Sequence, residues 1–267
     1  GWPVHVRDLN PVKEQTFKQI GAVTHAGPGQ LATHCVVNIV CVVDAAQTRE
    51  VLFGTDGAAT AMRPGGAVML CPTIAPQDVE ALAGELTERG IHSIDAPMSG
   101  GPARARDGSM SLMVACADEV FEQHRALLEA LSRKLFRISQ RPGDGARTKL
   151  VNNLLAGINL AGAAEVLALA ARMGLDLGRT LDVIEQSSGQ SWIGSDRMRR
   201  AIAGDFAPRA HTTLLAKDTR LALEAAQAAG FEPALGRVAA GTFARALDAG
   251  LAGEDDASVF KLLQRPA

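Results

Sequence analysis

The strongest pattern in this chain of 267 residues is a change of hydrophobic period near residue 143. Upstream, short apolar runs alternate with amphipathic stretches. Residues 4–7 (VHVR), 22–25 (AVTH), 35–43 (CVVNIVCVV), 67–71 (AVMLC), 91–97, 109–116 and 135–138 have the length and side-chain character of strands. Asn10-Pro11 supplies an N-cap followed by a proline at the first helical position, and predicts a helix to about residue 20. Residues 76–89 and 121–131 read as further amphipathic helices. The run 35–43 is so apolar that it predicts a strand covered on both faces. Such alternation predicts a mostly parallel sheet with helices on both sides. Beyond residue 143 the strand signals stop. Alanine- and leucine-rich helical segments follow, broken near Gly174, Gly189, Gly204, Gly230 and Gly250. The expected fold class is α/β, with a sheet domain over residues 1–142 and an all-helical domain over 143–267.

Composition narrows the function classes. A net charge of −2 gives no basic footprint for nucleic acid or an anionic membrane. The long apolar run after residue 149 is interrupted by asparagines and reads as too short to cross a bilayer. Gly1-Trp2-Pro3 leads straight into a strand-like segment, without the pattern of a signal peptide. Cys35, Cys41, Cys71 and Cys116 form no CxxC pair and sit in apolar runs, as expected of buried free thiols in a reducing cytoplasm. The six histidines form no HxxxH or HExxH pattern, so no metal is expected.

Candidate chemistry centres on residues 142–153, PGDGARTKLVNN. A glycine-rich turn runs into an apolar helix that carries Lys149, Asn152 and Asn153 on one face, at positions i, i+3 and i+4. An amine and two amides at the mouth of a buried helix are costly without partners. A polar ligand is one such partner; a solvated, capped helix start is the other reading. A second clue is an absence. A doubly wound nucleotide-binding sheet opens with a strand, GxGxxG and a helix, and an acidic residue about 20 residues later grips the adenosine ribose. Asp8, at the end of the first visible strand, fits the acidic position, while GxGxxG occurs nowhere in the chain. The sheet therefore reads as Rossmann-like with its first βα unit missing. A gap or a local rearrangement is expected between strands 4–7 and 35–43, and the 267 residues alone are expected to bind dinucleotide poorly or not at all.

Three segments carry a family resemblance: DAPMSGG (residues 95–101) with GSM at 108–110, the 143–153 segment, and TTLLAKDTRLALEAA around Lys217-Asp218. In order and spacing they resemble the β-hydroxyacid dehydrogenases, a family that includes 3-hydroxyisobutyrate dehydrogenase, tartronate semialdehyde reductase and L-threonate dehydrogenase and is related to 6-phosphogluconate dehydrogenase. The resemblance implies an NAD(P)-dependent oxidoreductase of small β-hydroxyacids, with the active site in a cleft between the two domains. It implies that Lys149 is the general acid/base and that Asn152 and Asn153 hold substrate. Ser99, Gly100 and Gly101 would capture the substrate carboxylate, their alternative being an ordinary tight turn. Thr73 would lie beside the nicotinamide ribose or cap the next helix. Lys217 would close over cofactor and substrate or be a solvated lysine, and Asp218 reads as structural. Trp192 lies near the substrate loop or packs in the core. Burial would lower the pKa of Lys149 toward neutrality. Glu165, in apolar surroundings, reads as a buried salt bridge or an interface contact. Asp8 favours NAD, with NADP left open by the nearby Lys13. SSGQSW, DRM and GDFAPRA look closest to L-threonate dehydrogenases, whereas TTLLAKD and DDASVFKLL also fit 3-hydroxyisobutyrate dehydrogenase. The apolar helical half implies a homo-oligomer, dimer or tetramer, with a small hydroxyacid as the other partner. The alternative is a catalytically inactive fragment that serves as a folded or partner-binding module.

Overall fold

The computed structural model describes residues 1–264, which divide into two compact units at the Lys149–Leu150 boundary. The first unit runs β1 (His5–Val6), α1 (Pro11–Gln19), β2 (Val23–Thr24), α2 (Pro28–Ala32), β3 (Val37–Val40), α3 (Ala45–Phe53), α4 (Ala58–Ala61), β4 (Ala67–Leu70) and α5 (Pro76–Thr87). It continues through β5 (His92–Asp95), β6 (Met98–Ser99), α6 (Gly101–Arg106), β7 (Ser111–Ala115), α7 (Asp118–Leu131) and β8 (Lys134–Ser139). The main sheet has the order β3-β4-β5-β7-β6, with β8 also paired to β7. Strands β3, β4 and β5 are mutually parallel, β7 is antiparallel to β5 and β6, and β8 is parallel to β7.

Side-chain alternation builds one core on each face of this sheet. Val40, Val68 and Leu70 pack with Val79, Leu82 and Leu86 of α5 on one side. Met69, Ile94, Leu112 and Val114 pack with Val120, Phe121 and Leu128 of α7 on the other. The expected gap is present: β1 and β2 pair in parallel as a sheet of their own, and neither joins β3. One expectation needs correction. Strand β3 is not covered on both faces: Ile39 is 43% exposed, and Val36 and Val43 beside the strand are exposed too. It is the edge strand of the main sheet, so its composition reflects one buried face rather than two. The sequence pattern also missed α2, α3, α4 and α6. These are short helices, and α3 is started locally by Asp44, whose side chain accepts from Gln47 N at 2.8 Å. His5, His25 and His34 stack on one another, with ring centroids 5.0–5.4 Å apart. No group of three or more His, Cys, Asp or Glu placed to hold a metal occurs among the described residues.

From the end of the sheet unit the chain enters α8 (Asp144–Arg172), followed by α9 (Leu177–Glu185), α10 (Trp192–Ile202), α11 (Thr212–Ala228), α12 (Ala234–Asp248), a 3-10 turn (Asp256–Ser258) and α13 (Val259–Gln264). Helix α8 has 29 residues, which at 1.5 Å each make about 44 Å. With a window of mean hydropathy 1.8, it is long and apolar enough to cross a membrane by length and composition, which corrects the estimate of its length from sequence. The asparagines do not shorten it, because they sit on a polar strip at its start. In the second unit its inner face packs instead: Leu160, Ala164 and Leu167 join Leu181, Met198 and Phe243 in the core. Glu165 is exposed on its outer face, not buried.

The helical unit contains one buried ionic cluster. Asp255 has no exposed surface and accepts from Arg200 Nη2 at 2.9 Å, Arg209 N at 2.8 Å and Ala257 N at 3.1 Å. Arg197 Nε donates to the neighbouring Asp256 at 2.6 Å. Burial pushes both carboxyls up. At Asp255 the Arg200 and backbone donors outweigh it and hold the group at about 2, whereas Asp256 stays near 6 despite Arg197. A depressed carboxyl stabilises the fold above its unfolded pKa of about 3.9, and that stability is lost as pH falls through the folded value. Arg200→Met should therefore cost about 3–5 kcal/mol at pH 7, by leaving a buried charge without its cation. The deficit should shrink as pH falls from neutrality, because Asp255 then protonates readily in the variant. Urea unfolding of both proteins at pH 7 and pH 4 checks this, and equal deficits at the two pH values would contradict it.

Candidate active site

The sheet unit holds its chemistry-bearing residues at the carboxyl ends of strands, where open α/β sheets receive ligands. Asp8 follows β1, where its carboxylate accepts from Asn10 N at 2.8 Å and lies 3.8 Å from Lys13 Nζ. Thr73 lies in the connection from β4 to α5. It is not the helix cap: the N-cap position of α5 is Ala75, without a side-chain bond. Ser99 ends β6, in register with Ser111 of β7, and Gly100 and Gly101 have φ values of 132° and 67°. At Gly100 a Cβ would come within 2.8 Å of Arg104 side-chain carbons, so both backbone angle and space require glycine there.

The start of α8 is locked to the sheet by a contact that the sequence did not reveal. Asp95, at the end of β5, is buried and accepts from Gly143 N at 2.8 Å and Ala146 N at 3.2 Å. A carboxylate from another element thus satisfies amides at the head of the helix, with the charge that its dipole favours. The approach is so close that a Cβ at Gly145 would lie 2.7 Å from Met113 O and 2.9 Å from the Asp95 carboxyl. Burial pushes the Asp95 carboxyl up to about 6, against the lowering effect of the amides at Ala146, Gly143 and Gly145. One turn further, Lys149 is only 8% exposed. Its burial matches the expectation for an amine that meets partners rather than bulk water.

In the helical unit, Asn153 and Lys217 converge on one carboxylate. Asn153 Nδ2 donates to Asp218 Oδ2 at 2.6 Å, and Lys217 Nζ lies 3.0 Å from Asp218 Oδ1. The pairing is possible because α8 and α11 touch closely at the next turn: a Cβ at Gly157 would be 2.6 Å from Thr219 Cγ2. Asn152 is exposed and donates to Asn153 Oδ1 at 2.9 Å. Asp218 therefore links two of the candidate residues, a role that its neighbour Lys217 obscured in the sequence. Trp192 is not a core residue. It opens α10 at 54% exposure, with the Arg197 guanidinium 6.0 Å from its ring centroid.

Comparison with known proteins decides the family. Residues 1–139 match the NAD binding domain of 6-phosphogluconate dehydrogenase, and residues 143–263 match the NAD-binding family of NADP-dependent 3-hydroxyisobutyrate dehydrogenase. The L-threonate dehydrogenase of Cupriavidus necator is 39% identical over 262 residues, covering 98% of this chain and 88% of the relative. The chain belongs to the β-hydroxyacid dehydrogenase family. A solved 3-hydroxyisobutyrate dehydrogenase from Salmonella typhimurium superposes with a TM-score of 0.91 at 37% identity, over 97% of this chain and 90% of that one. Psf3, solved with NADP+ and 2-OPP, gives 0.90 at 28% identity, over 98% and 92%. The chain is thus an NAD(P)-dependent oxidoreductase of small hydroxyacids, and the match through both halves favours the enzyme over a partner-binding module. Its donor set fits the cofactor's riboses: a carboxylate after β1 and a hydroxyl after β4.

The Asp95 contact generates a prediction. Asp95→Ala should destabilise the protein by about 1–3 kcal/mol, the cost of leaving buried amides unsatisfied. It should also lower kcat at least about tenfold by loosening the turn before Lys149, with the KM for the dinucleotide little changed. Asp95→Asn keeps an acceptor oxygen and should recover most of both losses. Steady-state kinetics and thermal melts of the two variants check this; an alanine variant with wild-type kcat would contradict it.

Proposed function

We propose that this protein oxidises the hydroxyl of a small hydroxyacid of the L-threonate type, or reduces the corresponding product, with NAD preferred over NADP. The observation that carries the reading is Lys149, a buried amine in a helix turn clamped to the carboxyl edge of a dinucleotide-type sheet. The nicotinamide, when bound, takes up or returns the hydride. The protein's part is to move the proton and hold the acid. In the oxidation Lys149 Nζ takes the hydroxyl proton as the carbonyl forms, and returns it in the reverse direction. Ser99 and the backbone N–H groups of Gly100 and Gly101 receive the carboxylate, for which the open space at Gly101 leaves room. Asp218 orients Asn153 through one amide hydrogen and leaves the other for a substrate oxygen. Asn152 and Trp192 are the further candidates for the substrate, and Lys217 for the cofactor and substrate. Asp8 receives the ribose hydroxyls and disfavours a 2′-phosphate, and Thr73 contacts the nicotinamide ribose. Identity with the Cupriavidus necator enzyme puts L-threonate ahead of 3-hydroxyisobutyrate.

The same reading assigns residues 1–142 to cofactor binding and 143–267 to substrate binding and self-association. Val151, Leu155, Val166 and Leu169 form an exposed apolar stripe along α8, which a second copy of the chain would cover in a dimer or tetramer. Four free cysteines suit a reducing compartment, and we infer the cytoplasm.

Lys149→Ala should lower kcat by about 10²–10⁴-fold while the dinucleotide Kd stays within a factor of about three. Asn153→Ala should act mainly on the KM for the acid. Wild-type kcat/KM should be higher with NAD than with NADP, and higher with L-threonate than with 3-hydroxyisobutyrate. Turnover assays with each pair check all three statements. A Lys149→Ala protein that keeps more than about half of the turnover would overturn the mechanism.

A further inference from the structure

Two of the four cysteines stand next to each other at the cofactor edge of the sheet. Strands β3 and β4 are parallel and in register, with Val40 opposite Leu70. The ladder continues one step further, through Cys71 N donating to Val40 O at 3.0 Å. Cys41 and Cys71 each follow one residue beyond the last registered pair, at neighbouring ends of the two strands. Neighbouring strands lie about 4.8 Å apart, and in-register partners project to the same face. That spacing falls within the Cα separation that a disulfide accepts, about 4.4–6.8 Å. The thiols perturb each other: Cys71 lowers the pKa of Cys41 and is itself raised by Cys41. The pair is asymmetric. Cys41 is exposed and Cys71 is buried, so the sequence expectation of uniformly buried thiols fails at Cys41.

We propose that Cys41 and Cys71 are a peroxide-sensitive dithiol whose closure to a disulfide shuts the cofactor edge of the sheet. The asymmetry sets the order of events. The Cys71 thiol holds that of Cys41 below its usual pKa, whereas Cys41 and burial push Cys71 up. Cys41 is therefore the thiolate that solvent peroxide meets. The Cys41 thiolate attacks the peroxide O–O bond, giving a sulfenic acid and hydroxide; sulfur is oxidised and peroxide reduced. The Cys71 sulfur then attacks the sulfenic sulfur, forming the S–S bond. The departing hydroxyl leaves as water, with the thiol proton. Closure draws the sulfurs to about 2.05 Å and ties β3 to the Cys71–Ile74 connection that carries Thr73. Neither cysteine takes part in the hydroxyacid chemistry. The effect on turnover rests on the dehydrogenase reading; the formation of the bond does not.

The experiment treats the reduced protein with hydrogen peroxide, blocks remaining thiols by alkylation and maps tryptic peptides without reduction. A cross-link between the peptide holding Cys41 and that holding Cys71, lighter by two hydrogens, is expected. Cys35 shares the Cys41 peptide, so the cross-link should persist in Cys35→Ser and vanish in Cys41→Ser. Turnover should fall at least about tenfold on oxidation, recover with dithiothreitol, and resist peroxide in Cys41→Ser. Four alkylatable thiols after peroxide, or a cross-link that survives in Cys41→Ser, would overturn the dithiol. A complete cross-link with unchanged turnover would overturn its closing of the edge. A protein inactive before oxidation would count against the dehydrogenase reading alone, since the peptide map needs no activity.

Discussion

The buried carboxylate of Asp95 holds the first turn of α8 to the sheet, and the position of Lys149 depends on it. The free energies oppose each other. Taking a carboxylate out of water is unfavourable, as its raised pKa records. Amides at a helix start are unfavourable without acceptors, and their dipole favours an anion. Each group offsets the cost of the other, and the absence of a side chain at Gly145 lets them meet. The sign of the pKa matters. A raised carboxyl contributes stability below its unfolded pKa of about 3.9 and loses it as pH rises through about 6. At neutral pH the clamp is thus retained under electrostatic tension: the ionised carboxylate stabilises the fold less than the protonated one would, yet it still satisfies the amides that place the helix.

Much of this was legible in the sequence, for identifiable reasons. The sheet elements were readable because parallel strands bury β-branched runs, and α1 because Asn10 and Pro11 encode its start locally; Asn10 Oδ1 accepts from Val12 N at 2.9 Å. Lys149, Asn152 and Asn153 were readable because helical spacing puts them on one strip. The clamp at Asp95 was not, since it joins residues 48 and 51 positions apart. A carboxylate at a strand end, followed much later by a glycine-rich helix start, was the available signal. Asp218 was read as structural, but its pairing with Asn153 was not legible, because the two meet only when α11 packs against α8. Of the two readings of Trp192, core packing fails, because at the first turn of α10 it stands at the surface.

The sheet and helical units use buried charge differently. Asp95 relies on backbone amides, whereas Asp255 combines amides with a guanidinium and stays firmly ionised. The first arrangement places a helix; the second ties the loop before the 3-10 turn to α10 and to the segment ahead of α11. The two cysteines just beyond the ends of β3 and β4 add a third local device, in which thiols one step past the last registered pair differ in exposure.

The continuity of α8 has a consequence for how such chains can vary in length. Lys149 and Asn153 ride on one uninterrupted helix, so their angular relation is set by residue count. Inserting or deleting a single residue between them would rotate one against the other by about 100°. Compensating loop movement could not restore the phase. The interval therefore acts as a gauge: surface connections such as residues 186–191 can absorb length changes, while this stretch of one helical turn tolerates none.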